Sequence, residues 1–232
     1  MNFKILIPFW GENPRYIQLL KDWFDAYWKL NLPYNVVVIT DYQTDAVHIP
    51  GQYVQTFNTP EYNPEYQFDH KGDLVCAAIQ KIVEPVLVLD SDAVIRKDFT
   101  ALLETFLWTS FAMPADEGCL GLHIRNRHAQ PTAIAKRCAG VLWFGIPGSR
   151  AGIVEDYCTA FKELETGRYY EERRLFEQHA WTMVAHKYNA PMLPRTMNWL
   201  DNNSRNGPNP DAFIYHRIGQ RKFNVALNPA HV

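Results

Sequence analysis

Val86-Leu87-Val88-Leu89-Asp90-Ser91-Asp92 is the stretch whose reading decides the fold. Four apolar residues run unbroken into two acids separated by one small residue. A Val/Leu run without alternation reads as a strand covered on both faces, as in a parallel sheet between layers of helices. Asp is seldom fully buried without a partner, so the pair belongs at the strand's carboxyl edge. Open α/β sheets take their ligands at that edge. In extended backbone, residues 90 and 92 send their side chains to the same side. Adjacent carboxylates repel, and a divalent cation relieves the repulsion; oxygen ligands suit Mg2+ or Mn2+. The competing reading makes Asp90 and Asp92 turn formers at the end of a strand.

Working upstream, the spacing predicts a helix from residue 69 or 70 to 82 that feeds directly into this strand. Lys71 and Asp73 lie near its start as candidate donor contacts. Lys71 is placed to meet a phosphate, or is a solvated lysine. At the other end of the chain, 3–7 reads as a buried strand, followed by a loop over 8–14. Asn13 is the N-cap and Pro14 the first helical residue of a helix over about 15–30. Ile17, Leu20, Trp23, Phe24, Tyr27 and Trp28 recur there at helical spacing and read as core. A second strand over 34–40 ends at Asp41, so strand, helix and strand begin a parallel sheet. Asp41 stands where a nucleotide-binding fold often sets an acid against ribose or base. Residues 42–68 carry little periodicity beyond a short strand at 54–57.

Downstream of the acids, 99–109 reads as an amphipathic helix, and 110–113 and 119–124 as short strands. Residues 125–137 are the one locally basic stretch, by default a solvated loop, alternatively a contact for a phosphate-bearing acceptor. A strand over 139–145 opens on Gly140, where backbone or ligand can approach closely. Helices follow over about 149–165 and 169–187, the second carrying Glu177 and Gln178. Next come a polar turn over 201–210, a short strand at 212–215 and the run from His216 to Lys222. The fold class expected is α/β: one Rossmann-like domain over 1–232, with a mixed, mostly parallel sheet flanked by helices.

Composition excludes several classes. The net charge of −2 gives no global field for nucleic acid or anionic membrane. Cys76, Cys119, Cys138 and Cys158 are scattered, with neither zinc spacing nor the density of a disulfide framework. No apolar run approaches the length of a bilayer span, and the N-terminus lacks a signal peptide, so a cytoplasmic protein without a membrane anchor is expected. The sequence carries no signature of a particular oligomeric state.

Taken together, the blocks resemble the GT-A nucleotide-sugar glycosyltransferases, and within them glycosyltransferase family 8. Asp90-Ser91-Asp92 is similar to the family's DxD metal motif. Ala139-Gly140-Val141 is similar to its small-Gly-Val strand, with Cys138 nearby and the usual preceding Asn missing. Leu193-Pro194 with Asn198-Trp199 resembles its Leu-Pro…Asn-aromatic block, and His216, Gly219 and Lys222 match its C-terminal spacing. The resemblance implies a GT-A fold and transfer of a sugar from a UDP-sugar donor. It implies Mn2+ or Mg2+ held by Asp90, Asp92 and His216. Ser91, Gly140, Gly219 and Lys222 would then lie along the donor, with Lys222 on the diphosphate. Pro8, Phe9 and Trp10 would border the nucleobase, Phe9 or Trp10 stacking on it and Asp41 accepting from base or ribose.

The same match sets Glu177-Gln178-His179 in the place of the family's Asp-Gln-Asp block. Gln178 would sit beside the anomeric carbon, consistent with a front-face, retaining transfer, with Asp92 at the leaving group. Glu177 pointing into the pocket would instead be a general base and imply inversion. Many bacterial members that build lipopolysaccharide end in a basic, aromatic segment, whereas this chain stops soon after Lys222. A soluble acceptor is therefore expected: glycan, protein or modified DNA. The chain also resembles phage enzymes that glycosylate hydroxymethylated pyrimidines in DNA, with Arg125, Arg127, Lys136, Arg137, Arg195, Arg205, Arg217 and Arg221 available to phosphates. A nucleotidyltransferase would need a Gly-rich phosphate loop, and residues 8–14 hold only Gly11. A metal-dependent hydrolase or a non-catalytic nucleotide-sugar-binding domain completes the alternatives.

Overall fold

The chain alternates strand and helix: β1 (Lys4–Pro8), α1 (Pro14–Leu30), β2 (Asn35–Asp41), β3 (Val54–Phe57), α2 (Asp69–Lys81), β4 (Val86–Leu89) and β5 (Ala93–Ile95). The rest comprises α3 (Thr100–Glu104), β6 (Met113–Pro114), β7 (Leu122–Ile124), β8 (Thr132–Ile134), β9 (Val141–Phe144), α4 (Arg150–Glu165), α5 (Phe176–Lys187), β10 (Met192–Leu193), β11 (Trp199–Asp201) and β12 (Ile214–Arg217). The structure is a computed structural model that describes residues 2–44, 49, 51–60, 69–115, 122–124, 132–134, 137–146, 150–166, 175–201 and 209–217. At 122–124, 132–134, 200, 201 and 217 it describes backbone only.

A five-stranded sheet in the order β3-β2-β1-β4-β9 forms the centre. Its first four strands are parallel, and β9 closes it antiparallel to β4, with Leu89 opposite Val141. β4 is buried throughout, and its residues alternate between two cores. Val86 and Val88 join the core under α2, α4 and α5. Leu87 and Leu89 join the core under α1, with Trp23, Phe24 and Trp143. This is why the run is unbroken in the sequence: neither face of the strand meets water.

Local chemistry sets the helix ends. The Asn13 side chain accepts from the Arg15 N–H at 3.0 Å, Pro14 opens α1, and Asn31 closes it in the left-handed conformation at φ 47°. Four of the six expected α1 core positions are buried, whereas Ile17 is half-buried and Trp28 is 48% exposed. The buried Trp23 indole N–H donates to Ala93 O at 2.9 Å and anchors β5.

Several expectations change. The helix expected over 99–109 is α helical only over Thr100–Glu104. Beyond it the chain makes tighter turns, with Phe106 N–H on Leu103 O and Thr109 N–H on Phe106 O. The Leu107 and Thr109 carbonyls are taken by the Ile146 and Gly145 N–H groups that end β9, so a continuing helix would lose those partners. Part of the basic stretch pairs as β8 against β7, where a solvated loop was the default. β5 and β11 have no sequence signal, being three residues each. The short strand expected at 212–215 extends instead over Ile214–Arg217 and includes His216. Residues 169–174 of the expected second helix lie outside the described residues. Among the described residues, no helix is long and apolar enough to cross a membrane.

Leu87, fully buried and flanked by strands on both sides, tests the two-faced burial of β4. Leu87→Ala should lower the unfolding free energy in urea by about 2–5 kcal/mol. A loss below about 1 kcal/mol would mean the strand is not packed as described.

Candidate metal centre

β4 ends at Leu89 and the chain reverses at once. The Ala93 N–H donates to Asp90 O at 2.9 Å, so residues 90–93 form a tight turn where extended backbone was expected. The Asp90 N–H donates to Gly140 O at 3.0 Å, tying this turn to the start of β9. The two acids still face one place, because the reversal sets Asp92 beside Asp90 and a third segment meets them. β12 pairs antiparallel with β5 and brings His216 opposite Ala93. His216 Nε2 lies 3.1 Å from Asp92 Oδ1 and 3.8 Å from Asp90 Oδ2. One ligand atom from each of the three residues lies within 4.8 Å of the others. Ligand atoms bound about 2.1 Å from one ion, at right angles, stand about 3 Å apart. Two carboxylate oxygens and one imidazole nitrogen at these separations fit a Mn2+ or Mg2+ ion.

The far side of the imidazole is also held. Nδ1 is 2.9 Å from Asn198 Oδ1, an oxygen that only accepts, and 3.7 Å from Cys138 Sγ. The proton therefore sits on Nδ1, and Nε2 is the nitrogen turned to the acids, the orientation that suits a metal ligand. Burial would push His216 down, but the Asp92 carboxylate outweighs it, and the pKa stands well above the ordinary histidine value. Without a cation, the ring itself carries positive charge to the acids. Gly140 makes room for it: a Cβ there would lie 2.1 Å from His216 Cε1. The glycine expected to admit backbone or ligand thus admits the histidine ring.

Of the two settings expected for Lys71, the solvated one does not hold, since the residue is 5% exposed. Its Nζ donates to Ala139 O at 2.8 Å and to Asp90 Oδ1 at 2.7 Å, and faces Glu177 Oε1 at 3.5 Å. The ammonium expected to meet a phosphate is already surrounded by oxygens of the chain. Burial would lower its pKa, but Asp90 and Glu177 raise it above the ordinary value, so it stays charged. Glu177 is buried too. Desolvation pushes it up to about 7, against the lowering effect of Lys71 and with a further rise from Asp90. Gln178, about 100° further round α5, is half-buried. Glu177 is the residue of that block that reaches Lys71.

Other expected donor contacts are rearranged. Asp41 is buried and serves its own loop: Oδ1 accepts from the Gln43 and Thr44 N–H groups at 3.0 and 2.6 Å, and Oδ2 lies 2.5 Å from His70 Nε2. Burial raises its pKa, but the Thr44 and His70 hydrogen bonds prevail and hold it low. Both oxygens expected to take base or ribose are thereby occupied. Phe9 is a core residue at 4% exposure, which removes it as a stacking platform. Trp10 is half-buried, edge-on to His70 with centroids 6.3 Å apart, and Pro8 is buried at the end of β1. Asp73 lies two residues beyond Lys71, so the two do not share a face of α2. Its charge is felt instead by Cys158 on α4. Ser91 is half-buried in the turn between the acids.

Arg137, expected on a solvated basic loop, donates to the Ala190 and Pro191 carbonyls at 2.7 and 3.0 Å. Arg195 is exposed and covers the Trp199 ring at 4.4 Å. Gly219, Lys222, Arg125, Arg127, Lys136, Arg205 and Arg221 lie outside the described residues, as does the side chain of Arg217.

No protein-family model matches the sequence, and no curated protein matches it. Solved structures match the fold. The galactosyltransferase LgtC, solved with donor and acceptor sugar analogues, superposes with a TM-score of 0.61 at 13% identity, over 94% of this chain and 87% of its own. Mouse xyloside xylosyltransferase 1 gives 0.62 at 14% identity, over 97% of this chain and 100% of its own. The glycosyltransferase GlyE of Streptococcus pneumoniae gives 0.60 at 14% identity, over 95% of this chain. The chain spans about half of GlyE, 55% of its length. The fold is therefore that of the GT-A glycosyltransferases, with a mostly parallel central sheet flanked by helices.

Gly140→Ala tests how the imidazole is seated. The methyl group should displace the His216 ring and weaken Mn2+ binding by about tenfold or more, with the cooperative thermal transition retained. A variant that binds Mn2+ as tightly as the parent would show that the ring does not rest on Gly140.

Proposed function

We propose that this chain is a metal-dependent glycosyltransferase that takes a nucleotide-sugar donor, UDP-linked, and passes the sugar to an acceptor hydroxyl. The observation that carries this reading is the convergence of Asp90, Asp92 and His216 from two distant segments, with the imidazole held from behind by Asn198. Support for the chemistry comes from a fold shared with known glycosyltransferases.

A divalent cation bound there would neutralise the diphosphate as it leaves. The chain's own part is to hold that ion in place. Asp90 Oδ2, Asp92 Oδ1 and His216 Nε2 are the atoms assigned to it. Gly219 and Lys222 are assigned to the diphosphate and Trp10 to the edge of the nucleobase. Gln178 is assigned to the sugar side, in a transfer that retains configuration. Glu177 is turned toward Lys71, which favours a supporting role over that of a general base. The acceptor is assigned to a soluble glycan or protein. The inward engagement of Arg137 removes one of the contacts that a DNA acceptor would use.

The test is thermal unfolding of the purified chain with UDP and Mn2+, set beside UDP with EDTA and beside other nucleotides. A ligand at a hundredfold excess over its Kd stabilises the native state by about 2.7 kcal/mol. A rise in Tm is expected with UDP and Mn2+ together, lost with EDTA and lost in Asp92→Ala. A chain indifferent to every nucleotide would not be a nucleotide-sugar enzyme.

A further inference from the structure

The carboxylate of Asp90 is divided between two partners. Oδ1 accepts from the Lys71 ammonium at 2.7 Å, while Oδ2 faces His216 Nε2 at 3.8 Å. Lys71 cannot readily swing away. It is buried, and its ammonium also holds Ala139 O at 2.8 Å and stands 3.5 Å from Glu177 Oε1. Moving it would leave a buried charge without partners, which is strongly unfavourable.

This division bears on the choice of cation. Ca2+ takes six to eight oxygens and readily accepts both oxygens of one carboxylate. Mg2+ demands near-octahedral geometry from single donor atoms, and octahedral sites also suit Mn2+. A carboxylate with one oxygen already committed offers what the smaller ions need and withholds what Ca2+ favours.

We propose that Lys71 is the residue that sets the metal selectivity of this site, by holding Asp90 Oδ1 and so making Asp90 a one-oxygen ligand. The proposal rests on the reading of Asp90, Asp92 and His216 as the metal centre. Glu177 and Ala139 O are the supports that keep the ammonium in place. Lys71 then acts behind the ion, where it positions a ligand of the metal.

Charge and geometry can be separated by two variants. Lys71→Met removes the positive charge and also frees Oδ1, so Ca2+ should gain more than Mn2+. Glu177→Gln keeps the volume and leaves Lys71 on Oδ1, but removes a negative charge. At pH 8 it should therefore weaken both ions together and leave their ratio alone.

The experiment is calorimetric titration of the nucleotide-free chain with MnCl2 and, separately, CaCl2. The ratio of the two dissociation constants should move toward Ca2+ by on the order of tenfold in Lys71→Met and stay fixed in Glu177→Gln. An unchanged ratio in Lys71→Met overturns the proposal. An equal shift of the ratio in both variants also overturns it, because charge alone would then account for the selectivity. Should Lys71→Met not fold, the double variant Lys71→Met/Glu177→Gln leaves no lone glutamate there and carries the same expectation. Asp92→Ala separates the two levels. If the parent binds no Mn2+, the metal centre itself fails and the proposal with it. If the parent binds Mn2+, Asp92→Ala does not, and Lys71→Met keeps the parental ratio, only the role of Lys71 is lost.

Discussion

Two carboxylates at the mouth of a strand buried on both faces need positive charge within a few ångströms. The structure around Asp90 and Asp92 answers that need twice. Lys71 comes from behind, 2.7 Å from Asp90, and His216 from in front, 3.1 Å from Asp92. Each counter-charge then needs neutral partners of its own, because a buried cation with unfilled hydrogen bonds is costly. Lys71 finds Ala139 O, and His216 finds Asn198 Oδ1 and the space above Gly140. Residues from α2, the turn after β4, the approach to β9, the approach to β11 and β12 are therefore bound to one electrostatic requirement.

The scaffold holds those segments still. Arg150, buried at the start of α4, donates to the Ile82 carbonyl just past the end of α2, to Glu84 O at 2.7 Å and to Gly145 O at 2.8 Å. These carbonyls have no helical partners of their own. One guanidinium thus joins the exit of α2, the entry to β4 and the exit of β9. At its other end α2 is held by His70 on Asp41, one residue before Lys71. The Trp23 indole on Ala93 O does the same for β5, and so for the strand that carries His216. The ligands sit on short pieces of chain, but the hydrogen bonds beneath them come from long, buried elements.

How much of this was legible follows from the range of each signal. The strand-helix-strand beginning, Asn13 and Pro14 at the start of α1, and the unbroken run of β4 are local patterns with local causes, and the structure shows them within a residue or two. The short elements were not legible. α3 stops after Glu104 because Leu107 and Thr109 give their carbonyls to residues some forty positions away. Ala93–Ile95 is a strand because it pairs with 214–216, not because of its composition. Asp41, Phe9 and Arg137 have the residue types of ligand contacts. Burial and internal hydrogen bonds turn all three to structural work.

By itself, the sequence determined the class of fold, the strand on which the acids stand and the kinds of ligand atom present, because periodicity and residue chemistry are properties of neighbours along the chain. Only the tertiary structure decided that Asp90 and Asp92 meet through a tight turn, that Asn198 orients His216 and that Gly140 makes space for its ring. It also decided that Lys71 takes one oxygen of Asp90. Apart from the turn, those are relations between residues 18 to 76 positions apart, and no local pattern specifies which distant side chain will fill the remaining hydrogen bond of a buried charge. Packing and the cost of leaving such a bond unmade select the partner.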